Sequence, residues 1–191
     1  MADPIALFEQ WFEEARAAGE PEPEGMTLAT CDAAGRPSAR IVLYRGMSEG
    51  GFRFFTNYRS RKGSELGEHA HAALLFWFRT LTRQVRVEGA VEKLSAAESD
   101  AYFAARPRGN QLGAWASEQS QPIAGRAVLE ARYAEAAQRF EGRAVERPPH
   151  WGGFRVRPSV IELWRGREDR LHERQRFTRV GAEWIEDLLS P

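Results

Sequence analysis

Residues 40–62, RIVLYRGMSEGGFRFFTNYRSRK, decide the fold. Ile41 and Leu43 alternate with Val42 and Tyr44, the chain turns through Ser48-Glu49-Gly50-Gly51, and Phe52 and Phe54 alternate with Arg53 and Phe55. This is the period-two pattern of a β-hairpin. Directly after it, Thr56, Asn57 and Ser60 supply side-chain oxygens able to cap a helix starting near Arg61. The positive end of that helix dipole, Arg61, Lys62 and, from the preceding strand, Arg40 would then converge on one anion. A solvated basic rim would present the same residues, so the rest of the chain has to separate the two readings.

The 191 residues include 27 Lys+Arg and 27 Asp+Glu, so no global positive field recruits nucleic acid or an anionic membrane, and positive charge has to act locally. Nothing from residue 26 onward reads as a flexible linker, and one domain over 1–191 is expected. Cys31 has no partner for an internal disulfide and reads as a small apolar strand residue. No apolar run approaches the roughly 18 residues of a membrane span. In MADPIALFEQWFEEARAAG, Asp3 is a helix cap, Pro4 takes the first helical position, and Ile5, Leu7, Phe8, Trp11 and Phe12 recur at helical spacing. Residues 1–19 are therefore a docking helix, with acidic residues where a secretory signal carries basic ones, and a cytoplasmic location is expected.

Strands are expected near 26–31, 38–45, 51–56, 72–79 and 83–93. A helical segment over 95–142 follows. Ser95 with Glu98 forms a capping box, and the helix they start runs through Tyr102 and Phe103 to Pro107; a second lies near 109–116, and a third runs from Pro122 to Gly142. Strands 154–157 with 160–164, then 170–179 and 183–189, complete a C-terminal set over 154–191. The pattern predicts an α+β fold, a small antiparallel barrel with helices outside it. A barrel of this size fills its interior with side chains, so a large planar ligand has to sit on the wall or between subunits. Phe76, Trp77, Phe78 and Trp151 read as core or interface aromatics, whereas Trp164 ends a strand opposite basic residues.

Those basic residues form a second constellation. If 170–179 is a strand, period two puts Arg170, His172 and Arg174 on one face, as a solvated edge or as a site for anions and electron-rich rings. Arginine offers a fixed planar fork and histidine a proton near neutral pH, a pairing suited to holding and polarising a small anionic substrate. His69-Ala70-His71 lacks a third ligand at metal-binding spacing, and no metal site is expected. No glycine-rich nucleotide motif or G-x-S-x-G elbow is present.

The segments RIVLYRG, FFTNYRSRKG, LTRQVRVEG, YFAARPRGNQLGAWASEQS, HWGGFRV and ELWRGREDRLHER, in this order and spacing, resemble the pyridoxamine 5′-phosphate oxidase family over nearly the whole chain. The resemblance implies a homodimer of split β-barrels with flavin mononucleotide (FMN) at the subunit interface. It implies oxidation of pyridoxamine or pyridoxine 5′-phosphate to pyridoxal 5′-phosphate, with hydride passing to the flavin and dioxygen becoming hydrogen peroxide. Arg40, Arg61, Lys62 and Thr56 would hold the flavin phosphate. Ile41, Val42, Leu43, Tyr44, Arg45, Phe55, Gln84, Gln119, Ser120, Trp164 and Arg174 would contact the rest of the flavin, several from the second subunit, so that a lone subunit is expected to be inactive. Arg45, Tyr102, Arg106 and Asn110 would meet the substrate phosphate. Arg170, Leu171 and His172 would cover the pyridine ring, with Arg170 and His172 as the catalytic pair.

Three positions depart from the family pattern: Arg45 replaces the usual lysine, Asn110 a common serine, and Arg165 a glutamine. The sequence also opens directly on the docking helix, without the basic lid segment that the resemblance leads one to expect ahead of it. Two alternatives accompany the oxidase: a related FMN oxidase acting on another reduced ring, such as a phenazine, and a noncatalytic flavin or pyridoxal-phosphate carrier. Retention of Tyr102, Arg106 and the Arg-Leu-His run favours the oxidase over the phenazine-type enzyme.

Overall fold

The structure, a computed structural model, describes residues 2–191. The Asp3 side chain accepts a hydrogen bond from the Ile5 amide and starts α1 (Pro4–Ala17), which lays Phe8, Trp11, Phe12 and Ala15 against the barrel. Nine strands follow: β1 (Gly25–Cys31), β2 (Pro37–Leu43), β3 (Met47–Ser48), β4 (Gly51–Asn57), β5 (His71–Phe78), β6 (Arg83–Lys93), β7 (Trp151–Arg165), β8 (Glu173–Val180) and β9 (Glu183–Leu188). They form one antiparallel sheet in the order β2-β1-β5-β6-β7-β4-β3, with β8 on β7 and β9 on β8. The sheet curls until the Arg45 amide donates to the Arg53 carbonyl and the Arg53 amide to the Gly46 carbonyl, which joins the end of the β2 segment to β4.

β7 organises this arrangement. β6 pairs along its full length on one edge, while the other edge is divided: Trp151–Val156 pair with β4 and Val160–Arg165 with β8. The sheet therefore splits where β4 and β8 part company, giving a split barrel with peripheral helices. Inside lie Phe8, Phe52, Phe54, Phe76, Phe78, Phe154 and Phe177, all nearly or fully buried. Phe8 meets four rings, those of Phe12, Tyr44, Phe52 and Phe76, at centroid distances of 4.8–5.8 Å. Each such pair adds about 0.5–1.5 kcal/mol beyond the area it buries.

A second, smaller core joins α3 (Ala96–Ala104), α4 (Arg108–Ala116) and α5 (Arg126–Arg139) to the start of β7 through Phe103, Leu112, Ala136, Phe140 and Trp151. The Ser95–Glu98 capping box forms as read from the sequence. Gln111 Nε2 donates to the carbonyls of Phe103 and Ala104, and the Arg108 guanidinium to those of Phe140 and Arg143, so two helix ends are closed by side chains.

Four expectations are corrected. Residues 37–43 pair with β1 rather than with β4, so the true hairpin is the short β3–β4 ladder, extended to Arg45. The break expected at Pro158-Ser159 is absent: β7 runs through it by taking up Ser159 as a bulge opposite Glu88 and Gly89 of β6, where a Cβ at Gly89 would lie 1.9 Å from the Arg157 carbonyl oxygen. The third helix starts at Arg126, not Pro122. β8 starts at Glu173, not 170: Glu168–Arg170 form a 3₁₀ turn with φ of 53° at Asp169 and 59° at Arg170, so Arg170, His172 and Arg174 do not line one strand face.

Replacing Phe8 with alanine opens a cavity where helix and barrel meet, and the expected loss is about 3–5 kcal/mol of unfolding free energy, read by urea denaturation.

Candidate active site

β4 ends at Asn57, and Ser60 starts α2 (Arg61–Glu68) by accepting from the Gly63 amide at 3.3 Å. The turn is tight: a Cβ at Gly63 would stand 2.3 Å from the Tyr58 carbonyl oxygen. This geometry folds Lys62 back against the strand it has just left. Its side chain, 8% exposed, donates to Thr56 Oγ1 at 3.2 Å and Ser60 Oγ at 3.5 Å. Thr56 Oγ1 in turn donates to Gln119 Oε1 at 3.1 Å, tying in the loop after α4. Burial first, and then the charge of Arg40, pull the Lys62 pKa below the ordinary lysine value despite the opposing pull of Glu65.

Lys62 and Thr56 face a cleft of about 480 Å³. Ile41, Val42, Leu43, Arg45, Phe55, Tyr102, Arg106, Asn110 and Gln119, drawn from β2, β4, α3, α4 and the loops between them, line the same cleft. Phe55 stacks on Tyr102 at 3.8 Å and 10°, and on Trp151 at 5.6 Å and 13°. The Arg106 guanidinium lies over Trp151 at 4.5 Å, and its buried Nη1 has no hydrogen-bond partner. Burial lowers the Arg106 pKa; among charges, Tyr102 raises it and nearby Arg45 lowers it further. Among the described residues, Lys62, Arg45 and Arg106 have no carboxylate in ion-pair contact. One buried and two half-buried cations in that condition call for an anion. With hydroxyls, an amide and aromatic faces around them, they fit a ligand that carries phosphate and planar rings.

Arg40 and Arg61 stand beside this cleft on the two sides of Glu65, which the sequence reading did not single out. Glu65 Oε2 accepts from Thr30 Oγ1 at 2.5 Å and Arg40 Nη2 at 3.2 Å, Oε1 accepts from Arg61 Nε at 2.8 Å, and Ser38 Oγ reaches both oxygens. Burial alone would raise the Glu65 pKa, but the four donors outweigh it and hold the carboxyl at about 2. The i,i+4 spacing of Arg61 and Glu65 was the available signal. Trp151, read as a core aromatic, is buried and also forms part of the cleft floor. Tyr44 does not line this cleft: its ring packs in the core on Phe8 and Phe12 and borders a separate pocket beside α1.

The remaining predicted residues gather elsewhere on the protomer. Gln84, Trp164 and Arg174 are register neighbours across β6, β7 and β8. Trp164, Leu171 and His172 line a separate open groove of about 790 Å³, with Arg170 exposed at the end of the 3₁₀ turn beside it. The Trp164 and His172 rings lie 4.6 Å apart. The Arg167 amide donates to His172 Nδ1, which assigns the neutral ring as the Nε2–H tautomer. Arg174 forms a two-point contact with buried Glu162, at 2.8 and 3.2 Å. Ser120, left-handed at φ 72°, lines neither cavity.

Fold and site together define the class: a split barrel that carries on its wall a cleft lined by cations without carboxylate partners and by aromatic faces. The chain matches the model described as "Pyridoxamine 5'-phosphate oxidase" over residues 12–140 and the "Pyridoxine 5'-phosphate oxidase C-terminal dimerisation region" over 151–191. It is 58% identical to a pyridoxine/pyridoxamine 5'-phosphate oxidase of Burkholderia multivorans, across 99% of this chain and 89% of that one. It is 57% identical to the like-named protein of Rubrobacter xylanophilus, across 99% and 87%. The crystal structure of PhzG from Burkholderia lata 383 in complex with tetrahydrophenazine-1-carboxylic acid superposes with a TM-score of 0.94 at 34% identity, covering 100% of this chain and 94% of that one. An FMN-binding protein of Nostoc punctiforme shares the fold at TM-score 0.79 and 18% identity, covering 100% and 99%. The chain belongs to the pyridoxamine 5′-phosphate oxidase family. No helix among the described residues is long and apolar enough to cross a membrane.

Because the Glu65 carboxyl drops from an ordinary 4.5 to about 2 on folding, its contribution to stability is complete above pH 4.5 and disappears as pH falls toward 2. Urea unfolding between pH 5 and 2 should therefore show a shallower decline in Glu65→Gln than in the wild type.

Proposed function

We propose that the protein is an FMN-dependent oxidase that converts pyridoxamine or pyridoxine 5′-phosphate to pyridoxal 5′-phosphate and reduces dioxygen to hydrogen peroxide. The observation that carries this reading is the presence of two cation groups in one cleft, Lys62 with Thr56 and Arg45 with Arg106, none with a carboxylate partner. One group suits the phosphate of the cofactor. The second leaves room for a substrate with a phosphate of its own: Arg45, Arg106, Asn110 and Tyr102 together offer more donors than a planar carboxylate can use, and suit a tetrahedral oxyanion. The names of the relatives at 57–58% identity support the same substrate class.

Bound in the cleft, FMN would supply a two-electron acceptor that dioxygen can regenerate. The chain's own part is binding, orientation and charge. Lys62, Arg40 and Arg61 hold the cofactor phosphate near the start of α2. Arg45, Tyr102, Arg106 and Asn110 fix the substrate phosphate and thereby the position of the ring. Arg170 adds a fixed charge, and His172, presenting Nε2–H, donates a hydrogen bond to a ring substituent. Gln84, Trp164, Arg170, His172 and Arg174 would reach this cleft from the second subunit of a homodimer, a reading supported by the match of residues 151–191 to a dimerisation region.

Superposition on the phenazine-associated structure at TM-score 0.94 favours a second reading, an oxidase acting on a reduced tricyclic carboxylate. Purified, FMN-loaded protein should release peroxide with the phosphorylated B6 vitamers and not with a reduced phenazine carboxylate; the reverse preference would overturn the first reading. Arg106→Ala should raise KM for pyridoxine phosphate about tenfold or more, in line with the 1.5–3 kcal/mol of a charged hydrogen bond, with FMN content unchanged.

Mixing subunits tests the shared site. Lys62→Ala and His172→Ala homodimers should each be weak, and a mixed dimer should regain about half the wild-type rate per dimer because one of its two sites is then intact. No recovery would place both residues in the same subunit's site.

A further inference from the structure

Glu65 presents a paradox for a phosphate site. It is a buried carboxylate within reach of Arg40 and Arg61, the two arginines read as phosphate ligands, and its charge opposes any anion bound beside Lys62. Its bonding pattern explains its presence. A carboxylate has about four acceptor positions, and here the Thr30 hydroxyl, the Ser38 hydroxyl, Arg61 Nε and Arg40 Nη2 fill them. Arg61 is gripped only at Nε, so the outer edge of its guanidinium, carrying both Nη groups, stays available for a two-point contact. Arg40 is gripped more fully: Nη1 donates to the Leu28 carbonyl and Thr30 Oγ1 and Nη2 to Ser38 Oγ and Glu65, which leaves Nε–H as its one uncommitted donor beside its charge. Three cations against one anion leave this corner net positive.

Resting on the FMN reading above, we propose that Glu65 is the positioning residue of the phosphate site, aligning the Arg40 and Arg61 guanidinium groups before the ligand arrives. Two neighbouring arginines otherwise repel and sample many rotamers, and ordering them on binding would cost about 0.5–1.5 kcal/mol for each side chain. Thr30 and Ser38, on paired strands β1 and β2, anchor the carboxylate to the barrel wall, so the alignment is inherited from the sheet.

The sign of one substitution separates alignment from charge. If Glu65 acted only as a nearby negative charge, Glu65→Gln would tighten phosphate binding; as a positioning residue, its loss weakens it. FMN and riboflavin are titrated into flavin-free protein by fluorescence quenching, and riboflavin reports the rings without the phosphate. Glu65→Gln should weaken FMN about tenfold, or about 1.4 kcal/mol, and leave riboflavin within about twofold of the wild type. Equal or tighter FMN binding, or parallel weakening of both ligands, would overturn the proposal. If Glu65→Gln does not fold, Ser38→Ala removes the hydroxyl shared by Glu65 and Arg40 and should weaken FMN selectively by roughly threefold; unchanged FMN binding there overturns the proposal equally. A wild-type protein that binds FMN while both variants match it refutes the Glu65 role alone. A wild-type protein that binds neither flavin refutes this inference and the FMN reading together.

Discussion

Lys62 carries an ammonium group into a place where only two hydroxyls meet it, at 3.2 and 3.5 Å, and almost no water does. Hydroxyl dipoles compensate a buried charge poorly, and the effect shows in a pKa drawn below that of an exposed lysine. Much of the surrounding structure exists to keep that charge where it is. The Ser60 cap, the close approach of Gly63 to Tyr58 and the chain of contacts from Lys62 through Thr56 to Gln119 all fix α2 to the end of β4. Arg106, with a buried and unpartnered Nη1, lines the same cleft in a similar condition. Two under-compensated cations facing one space are costly to a protein without a ligand, and the geometry makes sense as preparation for a ligand with separated negative charges.

The helices serve that second cation. Arg106 follows α3, and its position depends on the small core of Phe103, Leu112, Phe140 and Trp151 that packs α3, α4 and α5 on β7. Aromatic stacking then carries the order outward, from Trp151 through Phe55 to Tyr102, to the cleft surface. Cleft and barrel thus share β7: its first residues pair with β4, which leads to Lys62, and support the rings under Arg106.

Local patterns in the chain made most of this legible. The caps at Asp3, Ser60 and Ser95 and the alternation in β4 and β6 express rules that act within a few residues, and each element formed close to its expected place. What escaped the reading were choices made by distant partners. Whether β2 pairs with β1 or β4 is decided by the curl of the whole sheet, and Pro158 stays inside a strand because β7 takes up a bulge at Ser159 against its partner β6. The same holds in the site. Lys62, Thr56, Arg45, Tyr102, Arg106 and Asn110 do share a cleft, but Tyr44 turns inward because α1 offers it Phe8 and Phe12. Glu65 and Glu162 went unnoticed because a reading tuned to positive charge passes over the acids that hold it in place.

The length of β7 has a consequence for how the protein works as an object. Fifteen extended residues make a bar with a contour of roughly 45 Å, with Trp151 at one end beneath the anion cleft and Trp164 at the other beside His172. A hydrogen-bonded bar flanked along both edges resists folding back on itself, so its two tips stay apart within a single copy. In the homodimer proposed above, chemistry that recruits both tips would be assembled by exchange between copies, each lending one end and borrowing the other. Under the shared site proposed above, dilution would act as an off switch written into the backbone, and a single inherited change at either tip would be felt at two reaction centres at once.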